Sequence, residues 1–151
     1  MAPIIRKGYV DTSDGQLHYR RTEGDVAPPI VLLHQTASSS QMWEKVMRLL
    51  GGDHELIALD TPGFGQSDFP PVTPTTRYYV DRLLDALDSL GVREFHVVGH
   101  HTGAVLGCEM AVVAPDRVRS LGMVGPAYFD ENDRRTWRRL AIDPLLVQPD
   151  G

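Results

Sequence analysis

The stretch from residue 94 to 114 limits the folds open to this chain more than any other. Phe95 to Val98 are apolar or β-favouring and read as a buried strand. Gly99 and Gly103 bracket a sharp turn, and Val105 to Ala114 read as a buried helix that Pro115 stops. Strand, Gly-x-x-x-Gly and helix in that order is the pattern of a nucleophile elbow, which lifts its middle side chain above the end of a strand. Glycine is required at both ends because a Cβ at either place would crowd the bend. The middle position, where Ser, Cys or Asp is expected, holds His101.

The rest of the chain supplies elements that fit around that bend. Gly8 to Arg20 reads as a hairpin turning at Asp14-Gly15, with Leu17 and Tyr19 on an apolar face and His18 on a solvated polar one. Gly24 to Pro29 reads as a loop. Ile30 to Leu33 is an unbroken apolar run ending at His34, which suits a strand buried on both faces. Trp43, Val46, Met47 and Leu50 keep helical spacing up to Gly51-Gly52. Glu55 to Leu59 predicts a strand, with His54 in the loop before it and Asp60 at its carboxyl end. A loop dense in Gly and Pro follows. From about Thr76, Tyr79, Leu83, Leu87 and Leu90 line one face of a helix that Gly91 ends. Val118 to Val124 predicts a last strand. Asp130 to Leu140 places acids before arginines, as a short exposed helix prefers, and its four arginines read as a solvated face. Asp143-Pro144 and Pro149 point to an irregular tail. The order predicts an α/β fold: a mostly parallel sheet with helices on both faces.

The totals exclude several classes. A chain of 151 residues fits one domain with a real core. A net charge of −5 with no basic stripe argues against nucleic acid. Nothing resembles a signal peptide, and no run of about 18 apolar residues exists, so no membrane span and a cytoplasmic location are expected. Cys108 is the sole cysteine, which rules out an internal disulfide; its place in the apolar helix predicts a buried, inert thiol.

Three motifs stand in order: His34-Gln35-Thr36, Asp60-Thr61-Pro62-Gly63-Phe64-Gly65-Gln66-Ser67-Asp68 and Gly99-His100-His101-Thr102-Gly103. Together they resemble the α/β-hydrolase family, in its esterase, epoxide hydrolase and dehalogenase-like branch, from about Gly8 to Ala127. The resemblance implies that His101 occupies the nucleophile position. It implies an oxyanion hole from the backbone N–H groups of Thr36 and Thr102, and a pocket bordered by His34, Gln35, Asp60 and His100. No cofactor is expected, and no metal: His34, Asp60 and His101 could converge at the strand ends, but no close-spaced motif such as His-Glu-x-x-His supports a metal site. Gly63 and Gly65 are not a dinucleotide fingerprint, since Asp68 stands at the third glycine position and no helix begins there. The sequence departs from the family in Gln35, in His101 and in having no histidine after position 101. It also stops where the family's lid begins. Residues 1–127 are therefore expected to be the N-terminal part of a hydrolase core, and 128–151 the start of a lid or tail. The fold would be truncated before its last strands, so the exposed strand at Val118 to Val124 would favour a homodimer.

An imidazole at position 101 has two chemical uses. It can be a covalent nucleophile, or a general base, since imidazoles titrate near neutral pH. The side chain of Thr102, one residue on, is expected to point away from the pocket. The leading expectation is hydrolysis of a small ester-like molecule. The alternatives are a non-catalytic or incomplete binding module, and a cofactor-free oxygenase or lyase on the same fold.

Overall fold

A computed structural model describes residues 3–137. Six strands form one sheet: β1 (Arg6–Thr12), β2 (Gly15–Arg21), β3 (Val26–Leu33), β4 (His54–Leu59), β5 (Phe95–His100) and β6 (Val118–Val124). Their spatial order is β1-β2-β4-β3-β5-β6. The hairpin closes with Thr12 opposite Gly15, and β2 then pairs antiparallel with β4. From β4 through β3 and β5 to β6 all pairing is parallel. The helices are α1 (Glu44–Leu50), entered through a short 3-10 turn at Ser40–Trp43, α2 (Thr76–Ser89), α3 (Thr102–Val113) and α4 (Glu131–Trp137). Thr75 caps α2, its hydroxyl accepting the Tyr78 N–H at 3.1 Å.

The unbroken apolar run at Ile30 to Leu33 has the cause the sequence suggested, and β4 shares it. Side chains alternate across a strand, and both faces of β3 and β4 are covered. Val31, Leu33, Ile57 and Leu59 face one way, into a core completed by Val80, Leu83 and Leu87 of α2 and by Leu106 and Met110 of α3. Leu32, Leu56 and Ala58 face the other way, onto Trp43 and Met47. Leu83 is fully buried at the centre of the larger core. Leu83→Ala is expected to lower unfolding free energy by about 2–5 kcal/mol in urea titrations, the usual range for a truncated core leucine.

Several expectations need correction. β3 begins at Val26, within the segment read as a loop, with a register irregularity between Val26 and Ile30. His54 is the first residue of β4 rather than part of a loop. α3 starts at Thr102, three residues earlier than Val105. His18 is not solvated: the Asp60 loop covers that face of β2, with Asp60 Oδ2 2.9 Å from His18 Nδ1, and His18 is buried. Cys108 is exposed, because α3 is apolar all round and its outer side is uncovered among the described residues, where Val112 is also exposed. The helix expected at Asp130 to Leu140 is observed up to Trp137; its remainder, with Arg138 and Arg139, and the tail prolines at 144 and 149 lie outside the described residues. No helix of the described residues is long and apolar enough to cross a membrane.

Candidate functional site at the carboxyl ends of the parallel strands

One residue, His101, separates the end of β5 from the start of α3. Its φ of 53° and ψ of −112° lie where L-residues rarely go. The backbone is held there from several sides. The His101 N–H donates to the Val124 carbonyl at 2.9 Å, and the His101 carbonyl accepts the Ala104 N–H at 3.1 Å. Ala37, in the loop after β3, has a φ of 60°; among the described residues these are the two non-glycine positions with positive φ. Each stands next to a threonine, Thr102 and Thr36, and those threonines meet. The Thr36 N–H donates to Thr102 Oγ1 at 2.6 Å, and the Thr36 hydroxyl donates to the same atom at 2.9 Å. Strain of this kind persists only where surrounding structure enforces it, and it concentrates at functional sites.

The two threonines face a cavity of about 360 Å³ above the strand ends. His34, Thr36, Thr61 and Thr102 supply polar groups to its wall; Phe64, Tyr79, Val105, Leu106 and Phe129 supply apolar surface. Open parallel sheets bind ligands at this end. Burial pushes the Tyr79 phenol above its ordinary pKa, so it stays protonated.

Two buried side chains brace the loops around the cavity. His34 Nδ1–H donates to the Gln35 carbonyl at 2.7 Å, and Nε2 accepts the Thr61 N–H at 3.0 Å. Both ring nitrogens are thus committed, and burial pushes the pKa down, so the ring is neutral. Phe64 packs edge-on against it, with ring centroids 5.9 Å apart. Asp60 collects more contacts. Its Oδ1 accepts the Ser40 N–H at 2.5 Å; its Oδ2 accepts the Gln66 N–H at 3.0 Å and meets His18 Nδ1 at 2.9 Å. Burial alone would raise the Asp60 pKa, but the hydrogen bonds from Ser40, Gln66 and His18 outweigh it and hold the carboxyl below its ordinary value. Gly65, at φ +58°, leaves the space this carboxylate occupies; a Cβ there would overlap Asp60 Oδ2.

Of the residues expected at the site, the cavity wall includes His34, Thr36 and Thr102. Gln35, Asp60 and His100, expected to border the pocket, are not among the residues lining this cavity. Gln35 turns its carbonyl to His34. Asp60 is buried under the loops it ties, though its loop does border the cavity through Thr61 and Phe64. His100 ends β5 with a buried Nδ1 that has no protein partner. The His101 imidazole is half-buried and is not part of the wall; Thr102 beside it is, as is Ala127, whose N–H meets the His101 carbonyl at 3.4 Å. Thr102 points into the cavity rather than away from it. Because α3 begins at that residue, its first side chain turns toward the Thr36 loop. Sequence reasoning did not foresee Tyr79 and Leu106 in the wall: at helical spacing a core side chain and a wall side chain read alike.

A family model described as alpha/beta hydrolase fold matches residues 28–148. Among curated relatives, an uncharacterized carboxylesterase of Bacillus subtilis is 32% identical over 120 residues, covering 79% of this chain and 40% of that protein. A fluoroacetate dehalogenase of a Burkholderia species is 33% identical over 135 residues, covering 83% of this chain and 44% of that protein. The crystal structure of naproxen esterase from Bacillus subtilis superposes with a TM-score of 0.80 at 27% identity, over 91% of this chain and 50% of that one. The chain thus spans half or less of the length of these proteins.

Proposed function

This chain belongs to the α/β-hydrolase fold family, and from that premise we propose that the cavity over the strand ends is a small-molecule hydrolase site served by His101. The observation that carries the reading is the backbone at residue 101, driven to positive φ on a single-residue bend between β5 and α3, beside the cavity wall. A bend that strains a non-glycine residue has to be held by its surroundings, and the Val124 and Ala104 contacts hold it. In this reading His101 acts as nucleophile or general base, and charge developing on the substrate is met at Thr102, since the Thr36 N–H and hydroxyl are already engaged with Thr102 Oγ1. The substrate class is a small ester-like molecule, in keeping with the esterase among the relatives. A cofactor-free lyase or oxygenase reaction would use the same general base.

One observation favours a second reading, ligand binding without turnover: the imidazole is not itself part of the cavity wall. A panel of p-nitrophenyl esters separates the two. His101→Asn is the variant to use, since asparagine tolerates positive φ and the bend should survive. We expect kcat/KM to fall by a factor of about 100 or more, the usual scale for an acid–base group. Turnover unchanged in that variant would remove His101 from the mechanism. No turnover in the wild-type chain, with esters still bound, would favour the binding reading.

A further inference from the structure

We propose that the side-chain hydroxyl of Thr102 is the donor with which this cavity holds an uncharged ligand oxygen, such as an ester or ketone carbonyl. It takes over the contact that the Thr36 amide would otherwise make. The inference rests on the cavity being the substrate site and names the class of substrate it takes.

Of the polar groups in the wall, those of Thr61, His34 and Thr36 already have partners. The Thr61 N–H and hydroxyl both face His34 Nε2, at 3.0 and 3.2 Å, and His34 Nδ1–H is held by the Gln35 carbonyl. The Thr36 N–H and hydroxyl both donate to Thr102 Oγ1. A threonine oxygen has two lone pairs and one proton. Thr36 fills both lone pairs, so Thr102 Oγ1 can act only as a donor, and two accepted hydrogen bonds polarise its O–H toward donation. The positive φ of Ala37 sets the turn that lets both groups of Thr36 reach one atom. The Thr102 N–H adds to this, because the Ala104 and Val105 amides both return to the His101 carbonyl while the first amide of α3 has no intrahelical acceptor.

Charge decides the ligand class. Among the described residues no side chain in the wall carries a formal charge: His34 is held neutral and Tyr79 protonated by burial. An ionised carboxylate placed there would lose its hydration with no cation to meet it, which is costly. A mostly apolar molecule with one acceptor fits both the Phe64, Tyr79 and Leu106 surface and the Thr102 hydroxyl.

Titrations of the 151-residue chain, followed by NMR, test this with acetophenone, with ethylbenzene as its oxygen-free analogue and with benzoate. Wild type should bind acetophenone more tightly than either of the others. Thr102→Val should weaken acetophenone about tenfold, the scale of one hydrogen bond, and leave ethylbenzene unchanged. Thr102→Ser, which keeps the hydroxyl, should restore wild-type binding. The proposal is overturned if Thr102→Val binds acetophenone as well or better, since the freed Thr36 amide would then be the donor. It is equally overturned if wild type holds acetophenone no better than ethylbenzene, or holds benzoate best. Ester turnover indifferent to His101, with ketone binding intact in the wild-type chain, would sink the hydrolase reading and spare this one.

Discussion

Replacing Asp60 with alanine is expected to cost the chain about 3–5 kcal/mol of unfolding free energy, the scale for removing one partner of a buried charged pair. The carboxylate is 1% exposed and accepts from Ser40, Gln66 and His18. Its removal leaves two amides and a buried imidazole without their acceptor at once. His18 suffers most, because its Nε2 already lacks a protein partner. Asp60→Asn keeps the shape but offers an N–H₂ where an acceptor is needed, so it should fall between wild type and alanine. Urea titration at neutral pH measures both; a loss under about 1 kcal/mol for the alanine variant would show that the loops hold without this carboxylate.

The same residue sets the acid limb of stability. Asp60 is held below its ordinary value of 3.8 in the fold, so its contribution is fully present above that pH and is lost as pH falls from there through the folded value. His34 adds in the same direction by a different route. Burial lowers its pKa from 6.5, so in the unfolded chain it takes up a proton that the fold resists, and stability declines as pH drops below 6.5. A plot of unfolding free energy against pH should therefore fall in two stages. Asp60→Asn should remove the lower stage and leave the upper.

How much of this was legible in the residues depends on what each signal encodes. Ile30 to Leu33 read as a strand buried on both faces and Glu55 to Leu59 as the next strand, and the two cores that cover them are there. Turn chemistry placed the hairpin at Asp14-Gly15, because those residue types answer a local backbone need, and apolar spacing placed α2 from about Thr76. His18 was not legible. Alternation along β2 distinguishes two faces but not whether a second layer covers the polar one, and here the Asp60 loop covers it. Cys108 misled in the opposite sense, because a helix apolar all round does not announce which side stays open. At the site, the Gly-x-x-x-Gly spacing located the bend, yet the direction of Thr102 depended on where α3 begins. Helix boundaries are the weakest part of any reading from sequence.

Gly103→Ala should be among the most damaging single-methyl changes within the described residues, with a loss of about 3 kcal/mol or more. A Cβ at residue 103 would overlap the backbone carbonyl of Leu33, and beyond it that of His34. Those carbonyls belong to the end of β3, a strand paired on both sides, so they cannot move without breaking its pairing to β4 and β5. Gly99→Ala meets the same wall from the other direction, since its Cβ would overlap the carbonyl of Gly103. The two glycines are thus contacts of one joint: β5 can hand over to α3 in a single residue only while both backbones touch. Gly52→Ala is the control, because nothing lies within 4 Å of a Cβ there, and it should be neutral within about 0.5 kcal/mol. Thermal unfolding of the three variants orders them. If Gly103→Ala melts with Gly52→Ala, the bend can open without cost, and His101 would then have no enforced backbone to act from. If it melts far below, the strain at His101 is maintained by close packing that the whole sheet supports, which is the condition a preorganised imidazole requires.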